Sequence, residues 1–528
     1  MGDVFGSAAM TQSESTASNL PINVVSIRTL MSTISIKTFV LVVIGLLILA
    51  SLPFRFGGLT PDTSWLLDVC EQILAGKAIY VDIIELAPPV PLLLYMPAAI
   101  LGHLVSVRAD FLVYVYAYTV VLGCLFLSSK ILPERLDGIG NTQLVFILPS
   151  ALFLLLLSFD AFTQRELFAV TFLLPMISVV IRMMELGELA DARLRIIAIA
   201  MAGLSFAIKP PLFALPGIAM IIVLVTNMRA LRPAYSTGLV AAGALSGLIT
   251  VISLLAFPAY FNEVLPLMKQ LYVQNELPLK LLQNKAIIGT LALLMVSVGM
   301  LVMQPKLRRI PTLLMLVLTV SYLVVFCVQR KFFNYHILPA AMFAFGSFSF
   351  LIAPYICATC KRGDIDFRPI IQLGVVGLSV IVTCAFMMRG FMDHRPPVDD
   401  LEWAADLETP TAAAISIDHA IQFPLVRRIG AQWIDRVCGQ WLSGYVQSML
   451  RALPEGDTRR ASLSQLQNHE IDNLITLIND DMPDILFVCE LPRCIWLRDE
   501  MLRREPALLT PYVEVARFPQ GSVLRRLQ

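Results

Sequence analysis

The sequence predicts an α-helical polytopic membrane protein with a C-terminal soluble α/β domain, and three observations carry that expectation. Of its 528 residues, 57% are hydrophobic and only 15% charged, with a mean hydropathy of +0.75. Soluble domains run near ~25% charged. The charge deficit is concentrated in about eleven apolar runs, each roughly long enough to cross a hydrocarbon core of ~30 Å. From Phe391 onward charged residues become frequent and no spanning run appears.

In chain order, residues 1–37 are rich in Ser, Thr and small residues and read as a disordered cytoplasmic tail. The first span, Thr38–Phe56, follows Arg28 and Lys37 and lacks a small-residue cleavage site, so it reads as a retained anchor. Further runs are Asp110–Lys130, Thr142–Phe159, Leu167–Met184, Leu194–Ile208, Pro211–Asn227, Ser236–Phe257, Ala286–Met303, Ile310–Val328, Tyr335–Tyr355 and Ile370–Met388. The Val90–Val107 run is interrupted by Pro91 and Pro97 and weakened by Gly102 and His103, which favours an interfacial or re-entrant helix over a span. Leaving it out puts the basic links on one side, as the positive-inside rule asks: Lys130 and Arg135; Arg182, Arg193 and Arg195; Arg229 and Arg232; Lys306, Arg308 and Arg309; Lys361, Arg362 and Arg368. The transmembrane body then covers 38–389, with outer loops at 57–108 and 258–285. Residues 390–528 form the outer domain, where short strand-like runs (Ala414–Ile417, Ile485–Val488) alternate with helical stretches such as Asn468–Ile478.

Ionisable groups near membrane depth are costly unless paired or solvated, so a cluster of them marks a candidate site. The first outer loop carries Asp62, Asp68, Glu71, Asp82 and Glu85. Asp62, after Pro61, stands where a helix N-cap is expected, so it is either only a cap or a functional carboxylate. Asp68 and Glu71 share one face at i and i+3 and read as solvated surface. Three more outer segments add Asp160, Gln164, Arg165 and Glu166; Lys209; and Gln329, Lys331, Tyr335 and His336. Arg165, Lys209 and Lys331 would suit a phosphate. Equally, Arg165 could pair with adjacent Glu166, Lys209 could snorkel to headgroups, and His336 could be an interfacial anchor. Cys489 and Cys494 are either a disulfide or two thiols.

Other chemistry is excluded by what is missing. The net charge of +1 gives no field for nucleic acid. No GxxxxGK[ST], HExxH or nucleophile-elbow pattern occurs, so nucleotide hydrolysis, zinc proteolysis and esterase chemistry lack their usual machinery. What remains is chemistry on carboxylates and cations.

On these residues the chain resembles the polytopic GT-C glycosyltransferases, the group that includes protein O-mannosyltransferases and the lipid A aminoarabinose transferase. The likeness rests on PDTSWLLDVCEQILAGKAIYVDIIELAPP after the first span, with its Gly-x-x-x-Tyr-x-Asp and acid-x-x-Pro-Pro steps. It continues in Gln164–Arg165–Glu166, in Lys209–Pro210, and in Gln329, Lys331, Tyr335 and His336; the soluble tail, with FPLVRRIGAQWIDRVCGQW and PDILFV, is similar to tails in that group. One departure is that Phe332 and Phe333 follow the lysine where a small residue is expected.

The resemblance implies an inverting glycosyltransferase. It would move a monosaccharide from a polyprenyl-phosphate carrier to a hydroxyl of an envelope glycan or glycolipid, at the outer face of a bacterial inner membrane. Asp62 would be the general base and Glu85 would orient sugar or acceptor. Arg165, Lys209 and Lys331 would hold the donor phosphate, and Asp82, Gln164, Glu166, Gln329, Tyr335 and His336 would line the substrate. No cofactor or metal ligand set is implied, although a divalent metal is not excluded. The N-terminus would be cytoplasmic and the C-terminal domain periplasmic. A transporter or flippase of an anionic lipid-linked sugar, or a non-catalytic envelope scaffold, would use the same charges without making a bond.

Overall fold

A computed structural model describes residues 35–55, 58–137, 139–209, 212–227, 233–271, 284–307, 309–330, 333–361, 383–385, 389 and 401–527. The expected disordered tail up to residue 34, residues 272–283 of the loop 258–285, most of the run Ile370–Met388, and Lys331, Phe332, Arg229, Arg232, Arg308, Arg362 and Arg368 lie outside the described residues.

The body is helical: α1 (Ile36–Arg55), α2 (Pro61–Leu74), α3 (Pro89–Leu93), α4 (Met96–Val105), α5 (Ala109–Ile131), α6 (Gln143–Leu157, with π turns at both ends), α7 (Arg165–Leu186), α8 (Ala192–Ile208), α9 (Ala214–Asn227), α10 (Pro233–Ala256), α11 (Leu265–Leu271), α12 (Lys285–Met303), α13 (Ile310–Gln329) and α14 (Leu338–Lys361). Among the described residues, seven helices are long and apolar enough to cross a membrane: α1, α5, α7, α10, α12, α13 and the stretch Asn334–Pro354. The runs Thr142–Phe159, Leu194–Ile208 and Pro211–Asn227 form shorter helices. Val90–Val107 is broken between α3 and α4 at Leu94 and Tyr95, and Pro97 falls in the first turn of α4, where its missing N–H is tolerated. The chain also carries a CxxC spacing, Cys357 to Cys360, near the end of α14.

Helices suit lipid because every backbone polar group is satisfied within the segment. Leu41, Leu46 and Leu49 on α1, Leu248 and Leu255 on α10 and Met295 and Val302 on α12 are exposed, which water would penalise and hydrocarbon accepts. Helix α7 is the opposite case, buried along nearly its whole length at the centre of the body. Gly203 lets α8 approach α10, since a Cβ there would sit 2.8 Å from Leu245.

Charges divide between the two ends of this body. At one end Lys37 pairs with Glu134 at 2.8 Å, Arg182 donates to the Ile131 carbonyl at 3.2 Å, and Arg309 donates to the Asp137 carbonyl at 3.1 Å. Helix α7 runs from there to Arg165, a rise of about 30 Å over 22 residues. Arg165 lies in the second group of charges.

A hairpin of β1 (Arg135–Leu136) and β2 (Gly140–Asn141) closes the first end. The C-terminal domain is a five-stranded sheet in the order β4 (Gln432–Trp433), β3 (Thr411–Ile415), β5 (Ile485–Cys489), β7 (Gly521–Arg526), β6 (Tyr512–Phe518). The strands β4, β3 and β5 are parallel, and β7 and β6 run antiparallel. Helices α15 (Leu425–Arg428), α16 (Trp441–Ala452), α17 (Arg459–Asp481) and α18 (Ile495–Arg504) complete it, so the expected α/β layers form. The chain goes from β3 to one neighbour, β4, then crosses to the other, β5, which creates a crevice beyond their carboxyl ends. A Cys489–Cys494 disulfide closes the loop after β5.

The domain docks on the segment between α1 and α5. Arg427, 8% exposed, gives Glu71 two hydrogen bonds at 2.8 and 2.9 Å and donates from Nε to Asp110 at 2.5 Å. The Ile84 amide donates to the Arg436 carbonyl at 2.7 Å, and Trp65 packs edge-on against Phe423 at 5.5 Å. This corrects the expectation of a solvated Asp68 and Glu71 face. Glu71 is the docking partner of Arg427, and Asp68 is buried against Gln72, where burial pushes its carboxyl up to about 6.

Candidate active site

The first turn of α2 positions Asp62, but not as its cap. Thr60 is the N-cap, its hydroxyl accepting from the Thr63 amide, Pro61 follows it, and Asp62 stands one residue further in. The expectation of an Asp62 cap is therefore corrected, and its carboxylate is left for other partners.

Those partners come from three parts of the chain. Oδ1 lies 2.9 Å from Nε2 of His419, in the loop after β3. Oδ2 lies 3.8 Å from the Arg165 guanidinium at the start of α7, and Tyr335 is a further neighbour that favours the ionised carboxylate. Burial raises the Asp62 pKa, but the hydrogen bond and charge of His419, with Arg165, outweigh it and hold the carboxyl well below its ordinary value. Burial lowers that of His419, yet Asp62, with Asp418 and Glu85, leaves it raised.

Beside this group, Lys209 at the end of α8 is ion-paired with Glu166 and donates to Gln329 at 3.3 Å. Nε2 of His336 lies 3.5 Å from the same Glu166 oxygen. Arg165 thus turns to Asp62 and Glu166 to Lys209, so the alternative of an Arg165–Glu166 pair is replaced by two cross-helix contacts. Lys209 is held inward, not snorkelled. Gln164 donates to Thr60 at 2.8 Å, and Tyr95 donates to the Thr163 carbonyl at 2.8 Å, fixing the segment before α7 against the first loop. Arg165 Nε, Glu166 Oε2 and Gln164 Oε1 are buried with no partner among the described residues. Such orphaned polar atoms in a charged cluster leave hydrogen-bonding capacity for a polar ligand.

Glu85 is buried, with Oε1 accepting from the Ala87 amide at 2.6 Å and Oε2 from Trp65. Burial, only partly offset by these bonds and by Arg165, pushes its pKa up. Both oxygens are engaged by the protein, so Glu85 shapes the loop beside the site. Asp82 stands apart: it is exposed and accepts from the Ala78 amide at 2.7 Å in a local turn. Lys331 lies outside the described residues.

Sequence reasoning missed His419 and Arg427. A signal existed for the first. Asp418–His419 follows the strand run directly, and residues just beyond the carboxyl end of a parallel strand at a change of strand order are where α/β domains place ligand-facing groups.

Compared with protein-family models and with curated protein sequences, the chain matches none.

Proposed function

We propose that the protein is a membrane glycosyltransferase of the GT-C type, moving a monosaccharide from a polyprenyl-phosphate carrier to a hydroxyl of an envelope glycan or glycolipid. The observation that carries this is the meeting of Asp62 with Arg165 beside the Lys209–Glu166 pair, at the mouth of a helical body under a docked α/β domain. In this reaction the acceptor oxygen attacks the anomeric carbon from the side opposite the phosphate. The new C–O bond forms as the bond to the carrier phosphate breaks, the phosphate leaves with the electron pair, and the acceptor proton passes to Asp62. A carboxylate suits that role, because the hydroxyl becomes acidic only as the bond forms. The departing phosphate is already an anion, so cations at Arg165 and Lys209, not a general acid, stabilise it.

In the same proposal about eleven spans cross a bacterial inner membrane, the N-terminus is cytoplasmic and the C-terminal domain periplasmic. The separation of the basic end from the Asp62 end supports that orientation.

The test is transfer by purified protein from a panel of polyprenyl-monophosphate sugars to glycolipid and glycan acceptors. Wild-type protein is expected to transfer from one donor, and D62N to lose roughly 10²- to 10⁴-fold in rate while still binding that donor. Equal rates would remove Asp62 as base. Donor uptake into vesicles without any transfer would favour a transporter or flippase.

A further inference from the structure

Resting on the transferase proposal, we infer that His419 is a positioning residue of the Asp62 site, supplied by the C-terminal domain, whose charge state sets how basic Asp62 is. Two independent sets of contacts bring the pair together. Asp62 is fixed by the first turn of α2. On the other side, Ser416 Oγ accepts from the Asp418 amide at 3.0 Å, Asp418 accepts from the Ala420 amide at 3.0 Å, and the His419 carbonyl accepts from the Phe423 amide at 2.9 Å. Arg493, just beyond β5, ion-pairs with Asp418, so both loops of the crevice hold the imidazole in place.

Docking does not depend on the histidine, because Arg427, Ile84 and Trp65 already join domain to body. The His419–Asp62 contact is therefore free to serve the site. Facing it are Asp62 from α2, Arg165 from α7, Tyr335 from the segment before α14, Glu85 from the first loop, and Asp418 of its own loop.

With His419 protonated, the Asp62 carboxylate accepts from an imidazolium and faces a guanidinium, which makes it a weak base. Loss of the imidazole proton removes one of those charges and leaves a neutral ring that still orients the carboxylate. Transfer then accelerates as pH rises through the titration of His419. The domain acts as part of the catalytic unit, not as an appendage.

The experiment uses the full-length protein, with H419Q, which keeps a neutral donor, and H419A, which does not. In wild type the rate with the active donor should rise at least about tenfold along this limb. H419Q should flatten the limb at near-constant donor KM, and H419A should lower kcat further. A parallel reading needs no turnover: in protein labelled with ¹⁵N-histidine, D62N should move the titration midpoint of His419 downward. A limb unchanged in H419Q, or a midpoint unmoved by D62N, would overturn the role of His419. Absence of transfer by wild-type protein with every donor would instead overturn the transferase proposal, and with it this role in transfer, even with the midpoint shifted.

Discussion

Nε2 of His419 lies 2.9 Å from Oδ1 of Asp62, across 357 residues of chain. The contact joins the C-terminal α/β domain to the helical body, and its two members titrate in opposite directions. Asp62 is held below its ordinary value, so its contribution to stability is present above the unfolded carboxylate range and lost as pH falls through the lower folded value. His419 is raised, so its contribution is present below the unfolded imidazole range and lost as pH rises through the higher folded value. The pair therefore stabilises most between these two limits. In D62N the plateau should fall by about 1–3 kcal/mol, with little difference from wild type at either extreme. Thermal unfolding of detergent-solubilised protein across pH measures this.

Arg427 carries the docking. Truncating it in R427A leaves Glu71 without its cation and Asp110 with Arg108 alone, and removing one member of a buried pair costs about 3–5 kcal/mol. Glu71 is 43% exposed, so water recovers part of that, and a loss of about 2 kcal/mol is expected after screening. The loss should appear as faster proteolysis of the C-terminal domain with the helical body intact. Unchanged protease sensitivity would show that Trp65–Phe423 and the Ile84–Arg436 bond suffice.

The helical body, the α/β tail and the candidate carboxylate were legible because each has a local signal: long apolar runs, a rise in charge after Phe391, and an acid just after Pro61 at a helix start. Partners were not legible. Arg165 is next to Glu166 in sequence, but successive residues on a helix point in different directions, so one reaches Asp62 and the other Lys209. The engagement of Glu71 depends on a domain more than 300 residues downstream, and helical spacing alone carries no trace of it.

The Cys489–Cys494 disulfide bears on the compartment. Such bonds persist where thiols are not kept reduced, a condition that the proposed periplasmic location would supply. Denatured protein alkylated without reductant should carry two fewer labels than reduced protein. Replacing both cysteines with serine should remove that difference and lower stability of the domain by about 2 kcal/mol. Equal labelling with and without reductant would argue against an oxidising outer location.

Lys209 allows stability and function to be separated. Its ammonium is the main partner of Glu166, whose side chain is only 1% exposed. K209M strands that carboxylate beside His336, and unfolding should become easier by about 3–5 kcal/mol. E166Q removes the charge instead and leaves Lys209 with Gln329. The double variant K209M/E166Q has neither charge, so its stability should recover toward wild type, giving a coupling energy of the size expected for contacting residues. Activity should behave differently. If Lys209 stabilises the departing phosphate, transfer stays low in the double variant even though the fold is restored. Recovery of transfer together with stability would show that Lys209 acts only by neutralising Glu166, leaving Arg165 as the described cation at the donor.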